Sequence, residues 1–176
     1  RSVVQAALDD VDDRMSMFQP QSELSTLNRA AQGSPVALSD ELYEVLSAAR
    51  EVSRWSDGAF DVTVAPLVEH WGFGTRASRR VPAPGAVAAE RRRVDWRSLE
   101  LDASRRTAVK RHAGLHADLG GIAKGYGVDR ATAALEARGV QDYMVEVGGE
   151  VRTRGVNAAG HAWRIGIEEP DAMPQR

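Results

Sequence analysis

The segment that most restricts what this chain can become is DLGGIAKGYGVDRATAALEARG, from Asp118 to Gly139. A strand-like run, LHADL, meets two adjacent glycines, and a helix-forming stretch follows until Gly139 closes it. Gly120 and Gly121 allow a close backbone approach that a β-carbon would resist. A helix starting there directs unpaired N–H groups and the positive end of its dipole outward, which suits a phosphate. Lys124 falls in the first turn. Asp118 would repel that phosphate unless it meets a hydroxyl, a ring nitrogen or a cation. A second reading stands beside this one: Gly-Gly only permits tight strand–helix packing, and Asp118 caps the helix. The order of glycines and lysine is neither that of a P-loop nor that of a dinucleotide fingerprint.

Composition removes several classes of function. With 176 residues the chain is expected to be one domain, 1–176, or a large part of one, able to build a core without disulfides or a structural metal. The absence of cysteine excludes thiolate nucleophiles and thiolate zinc sites. A net charge of −2 argues against a nucleic-acid surface, and no apolar run reaches bilayer-spanning length. The chain starts at Arg1 without an initiator methionine, so it is expected to be processed, trimmed or partly represented. Any targeting signal or membrane anchor would lie upstream.

Periodicity predicts an α+β arrangement. Residues 1–16 carry Val4, Ala7, Leu8, Val11 and Met15 near helical spacing, with no cap before Arg1. Ser22 is suited to cap a short helix through Asn28, and Ser39 a longer one whose face is Leu42, Val45, Leu46, Ala49 and Val52. Asp57-Gly58 ends that helix. Phe60, Val62 and Val64 alternate, which predicts a short extended segment leading to Pro66. The basic stretch 75–97 reads as exposed loop and short helix. LELDASRRTAV predicts a hairpin, LHADLGG a strand ending, 121–138 a helix, and DYMVEVGGEVRTRG a strand, Gly-Gly turn and strand. AWRIGIEEP is expected to be a last strand with Trp163, Ile165 and Ile167 on one side.

Other dense spots admit chemical and bland readings alike. In DGAFD, residues 57–61, a tight turn, an aromatic and a carboxylate could hold a flat ring and bond its edge through Asp61; a helix end followed by a buried Phe explains the same letters. HWGFG at 70–74 is a stacking wall or an aromatic cluster beneath a loop. VEVGGEVRTRG sets Glu146 and Glu150 beside a glycine turn, and solvated acids on a hairpin suffice to explain it. The four histidines have no metal-ligand spacing, and no G-x-S-x-G elbow occurs.

In their order along the chain, SMFQPQSELSTLN, SDGAFDVTVAPLVEHWGFG, DLGGIAKGYGVD, VEVGGEVRTRG and WRIGIEEP resemble the ApbE-like flavin transferases, the FAD:protein FMN transferases. The resemblance covers essentially the whole chain. It implies an α+β, T-fold-related mixed sheet with helices, of which 1–176 is the central part. The family's early strand with its MGT motif would precede Arg1. Its final third, with an SHxIDP-like segment and a later Asp and Thr completing the metal site, would follow Arg176. The implied activity is Mg²⁺-dependent cleavage of FAD, with FMN transferred to a Thr or Ser of a target flavoprotein and AMP released. Hydrolysis of FAD to FMN and AMP is the alternative, and a non-catalytic flavin-binding domain is another if the natural chain ends at Arg176. By the same resemblance Phe18 (often Tyr in the family), Ala59, Phe60, Asp61 and Asp118 contact FAD, and Gly121 offers its carbonyl to Mg²⁺. The catalytic residue is unassigned. Family members often act outside the cytoplasmic membrane as lipoproteins, so an extracytoplasmic, anchored location is the expectation.

Overall fold

The computed structural model describes residues 2–74 and 81–167. The elements run α1 (Val3–Met15), α2 (Glu23–Arg29), β1 (Val36–Ala37), α3 (Asp40–Trp55), α4 (Ala65–His70), α5 (Pro84–Arg91), a 3-10 turn (Trp96–Ser98), β2 (Leu99–Asp102), β3 (Thr107–Lys110), α6 (Ala123–Glu136), β4 (Tyr143–Val147) and β5 (Glu150–Arg154). This is an α+β fold. One antiparallel sheet has the order β1-β3-β2 and a second is the β4-β5 hairpin. Among the described residues, parallel pairing is confined to an isolated bridge between Val64 and His116.

Capping serines set the first three helices. Ser2, Ser22 and Ser39 each accept a backbone N–H three residues on, from Gln5, Ser25 and Leu42. The cap on α1 corrects the expectation of an uncapped start, because Ser2 is extended and itself turns the chain into the helix. On α3, Leu42, Val45, Leu46 and Ala49 are at most 2% exposed, and burying each leucine stabilises the fold by about 2 kcal/mol. Val52 departs from the expected apolar face: it is exposed, while the next residue, Ser53, is the one buried near the end of α3. The core continues through Leu24 and Leu27 of α2, Ala108 of β3, and Leu115, Ala117 and Leu119 of the segment before α6.

The two glycine hairpin positions behave as expected. Gly148 and Gly149 have φ of 59° and 96°, a left-handed pair that a tight β4-β5 turn requires. Two strand expectations are corrected. Residues 163–167 form no strand, and Ile165 and Ile167 are exposed. A strand exists only by pairing, and among the described residues no strand edge reaches that stretch; 168–170, the rest of the expected strand, lie outside the described residues. LHADLGG likewise forms no ladder beyond the Val64–His116 bridge, although its burial alternates. The helix after it begins at Ala123 rather than 121. The expected extended segment at Phe60, Val62 and Val64 is instead mostly turn, with a bridge at Val64, and helix α4, with Pro66 in its first turn, follows it. Residues 81–97 supply α5 and the 3-10 turn; 75–80 lie outside the described residues.

Candidate flavin-binding site

Segment 115–119 positions the site. Leu115, Ala117 and Leu119 are buried at 0%, 0% and 1% exposure, so the alternate side chains, His116 and Asp118, are turned off the core. The Asp118 N–H donates to the Val62 carbonyl at 2.7 Å, and its Oδ1 accepts the Gly120 N–H at 2.7 Å. Asp118 therefore caps its own turn and not the helix: α6 starts at Ala123, and Ile122 at its N-cap position makes no side-chain cap. No hydrogen bond from the described residues reaches the second carboxylate oxygen.

That carboxylate borders a largely apolar cavity of about 480 Å³. Leu8, Val11 and Met15 of α1 supply one wall, Met17 and Phe18 a rim, and Asp118, Gly120, Ala123, Lys124 and Gly127 the side toward α6. The dimensions suit a planar ring system with one polar edge. Helix α1 packs against α6 at Gly127, where a β-carbon would make an ordinary contact, 3.4 Å from Leu8 Cδ2. Phe18 is 64% exposed, with its N–H bonded to Ser16 Oγ at 3.2 Å, leaving an aromatic face available for stacking. Lys124 donates to the Gly148 carbonyl at 2.9 Å and lies 3.5 Å from Glu150, which ties the start of α6 to the β4-β5 turn.

Gly121 faces a neighbouring cleft of about 460 Å³, shared with Lys124 and Glu150. The Phe60 ring packs beside it: a β-carbon on Gly121 would come within 3.2 Å of Phe60 Cε2. Two segments that are far apart in sequence, the AFD turn and the DLGG turn, thus touch through Phe60. Phe60 N–H is held by Ser56 Oγ at 3.0 Å after a left-handed Asp57-Gly58 pair with φ of 49° and 81°. Ala59 is exposed beside it. Neither Ala59 nor Asp61 lines either cavity. Asp61 faces inward: Oδ1 accepts both the N–H and the hydroxyl of Thr63 at 2.7 Å, and Oδ2 accepts the Trp96 N–H at 3.0 Å.

A larger cleft of about 770 Å³ adjoins at Met17 and includes Ser25, Asn28, Arg29, Glu69 and His116. Its charges are largely engaged: Arg93 pairs with Glu90 at 2.7 Å, and Arg29 donates to the Pro20 carbonyl at 2.6 Å. The smaller cavity is the better ring site, because its walls are largely apolar and, of its two carboxylates, Asp12 is bonded by Gln19 while Asp118 keeps an open oxygen toward the cavity. For a divalent metal, the Gly121 turn offers a carbonyl on which no hydrogen bond of the described residues ends. Among the described residues no group of three His, Asp or Glu has metal-binding geometry. One carbonyl fits as a single ligand and not as a complete site.

With this geometry in hand, similarity to known proteins is specific. A family model described as ApbE matches residues 1–176. The chain belongs to the ApbE family. It is 37% identical to the FAD:protein FMN transferase of Haemophilus influenzae over 98% of its own length and 51% of that protein. The FAD:protein FMN transferase of Vibrio cholerae is 40% identical, matched over 93% of this chain and 48% of its own. Among solved structures, the flavin transferase ApbE from Vibrio cholerae superposes with a TM-score of 0.90 at 39% identity, covering 95% of this chain and 54% of the other. The ApbE protein from Thermotoga maritima gives 0.85 at 31% identity over 97% and 56%. The chain spans about half the length of the curated relatives it matches.

Sequence reasoning did not single out Asn28 or Lys110, which brace this site from behind. Asn28 lies within the SELSTLN stretch, but nothing local indicates that its partner is 89 positions away.

Proposed function

We propose that this ApbE chain forms the flavin-holding part of an FAD:protein FMN transferase. The observation that carries the reading is the apolar cavity between α1 and α6, rimmed by Phe18 and bordered by the half-open carboxylate of Asp118. The similarity to proteins named FAD:protein FMN transferase supports it. Apolar walls and the Phe18 face take a flat ring of FAD, and Asp118 accepts a hydrogen bond from a hydroxyl or ring N–H. Lys124, at the start of α6, lies where it offsets phosphate charge together with the helix dipole. Phe60 packs against Gly121 and holds the turn in shape.

In the reaction, a Thr or Ser hydroxyl of a target flavoprotein attacks the phosphorus on the FMN side. The bond to the bridging oxygen breaks, AMP departs with that oxygen, and the hydroxyl proton goes to a base. No described residue is assigned as that base. Mg²⁺ would supply charge neutralisation at the pyrophosphate, with the Gly121 carbonyl as one protein oxygen beside phosphate and water ligands. The residues of this chain act by orientation and by excluding water from the ring. We place the protein outside the cytoplasmic membrane, where such targets reside; this rests on the family resemblance, and cell fractionation tests it.

The deciding experiment incubates the protein with FAD, with and without Mg²⁺ and a target flavoprotein. Covalent FMN on the target with AMP release is the expected result. Free FMN and AMP without labelling would assign hydrolysis, with water as the acceptor. Absence of FAD binding under every condition overturns the site.

A further inference from the structure

We propose that Asn28 is a positioning residue for the Asp118 turn, its side-chain amide standing in for the neighbouring strand that segment 115–119 lacks. The choice of FAD as the ligand rests on the reading above; the choice of residue rests on geometry. The burial of segment 115–119 alternates as in a strand, yet among the described residues its only backbone bridge is the His116–Val64 contact. Buried backbone N–H and C=O groups require partners. At Ala117, which is fully buried, both come from one side chain: Asn28 Nδ2 donates to the Ala117 carbonyl at 2.8 Å, and the Ala117 N–H donates to Asn28 Oδ1 at 2.7 Å. The two bonds reproduce the exchange made by a hydrogen-bonded residue pair in antiparallel strands.

The next peptide is held from another element, by the Asp118 N–H on the Val62 carbonyl. Register follows from these contacts. A slip of one residue would send Asp118 toward the core and Ala117 toward the cavity. Asn28 is itself fixed from behind. Lys110, 2% exposed, donates Nζ to the Asn28 carbonyl at 2.6 Å, near the C-terminal end of α2 where a cation is favoured. Burial pushes the Lys110 ammonium below its ordinary value. Asn28 does not line the Phe18–Asp118 cavity, so its influence on a ligand there passes through Ala117.

The test compares Asn28→Ala, Asn28→Asp and a distant core variant, Leu46→Ala, by FAD titration and by thermal unfolding. Asn28→Asp keeps the acceptor for the Ala117 N–H but sets a carboxylate against the Ala117 carbonyl. Both Asn28 variants are expected to bind FAD about tenfold more weakly at temperatures where they are folded, a loss of one hydrogen-bonded contact's worth. Leu46→Ala is expected to bind as the parent does. Equal affinities in parent and Asn28 variants, or an equal loss in Leu46→Ala, overturn the proposal. Amide hydrogen exchange of the ligand-free protein separates this from the flavin reading. Exchange at Asp118 and Gly120 should accelerate in Asn28→Ala while that of β4-β5 stays unchanged. Should Asn28→Ala fail to fold, Asn28→Asp and Asn28→Ser are read in the same way. If the parent does not bind FAD, the flavin reading falls, and unchanged exchange at Asp118 and Gly120 removes the positioning role as well.

Discussion

The AFD turn and the DLGG turn each carry an aspartate within three residues of a glycine, yet they use the carboxylate in opposite ways. At Asp61 both oxygens are engaged by the protein's own donors, the N–H and hydroxyl of Thr63 and the N–H of Trp96. The Thr63 hydroxyl in turn accepts the Asp95 N–H at 2.8 Å, so this one carboxylate anchors the approach to β2. At Asp118 one oxygen closes the turn and the other faces the cavity. A saturated carboxylate shapes the backbone, and a half-open one can recognise something else. Two residues of the same type, each expected to contact FAD, thus differ in whether the protein's own donors leave a carboxylate oxygen open.

Removing the saturated carboxylate should have the largest effect. Asp61→Ala leaves the Trp96 and Thr63 N–H groups without their acceptor and is expected to cost about 3 kcal/mol of stability, read by denaturant unfolding. A loss below about 1 kcal/mol would mean that water or neighbours replace the carboxylate readily. Asp118→Asn sharpens the other side of the contrast. The amide oxygen still accepts the Gly120 N–H, so thermal stability should hardly move, while FAD affinity falls about tenfold. A melt shifted as far as that of Asp61→Ala would abolish the distinction.

Gly121→Ala tests the contact joining the two turns. Its methyl group would press on the Phe60 ring at 3.2 Å, at a cost of about 1 kcal/mol, and FAD affinity should decline with it. Pairing it with Phe60→Leu, which relaxes the crowding, should recover stability; failure to recover would show that the two positions are uncoupled.

The smallest effect concerns pH. Burial, then repulsion from Lys110 and Arg93, pushes the His116 imidazole below its ordinary value. The folded state thus resists a proton that the unfolded chain accepts. This contribution to stability is fully present above the unfolded value of about 6.5 and is lost as pH falls below it. Thermal melts should show a shallow acid-side decline that His116→Gln flattens. An unchanged slope in that variant would assign the decline to other groups.

Much of the fold could be read from local sequence. Serine caps, the Leu42–Ala49 face, the LELDASRRTAV hairpin and the Gly148-Gly149 turn are short-range features, with donors and acceptors within a few residues. The misjudged segments were those whose state depends on a neighbour. LHADLGG and AWRIGIEEP have strand-like alternation, but a ladder needs a second edge that alternation cannot announce. Of the candidate site residues, Phe18 and Asp118 share one cavity and Phe60 meets Gly121, while Ala59 and Asp61 lie apart from the cavities. Letters alone could not distinguish Asp61 from Asp118, because the partners that saturate Asp61 include Trp96, 35 positions away.

By itself, then, the sequence determined where the serine-capped helices α2 and α3 begin, where glycine turns fall and which ordered motifs place the chain in the ApbE family. Those properties depend on backbone sterics, caps and hydrophobic period, all of which act over a few residues. Tertiary structure alone decided which carboxylate is consumed and which is left open, and that an asparagine in α2 and a buried lysine in β3 brace the Ala117–Asp118 backbone. Hydrogen-bond partners are assigned by three-dimensional proximity and burial, and neither is encoded in the spacing of residues along the chain.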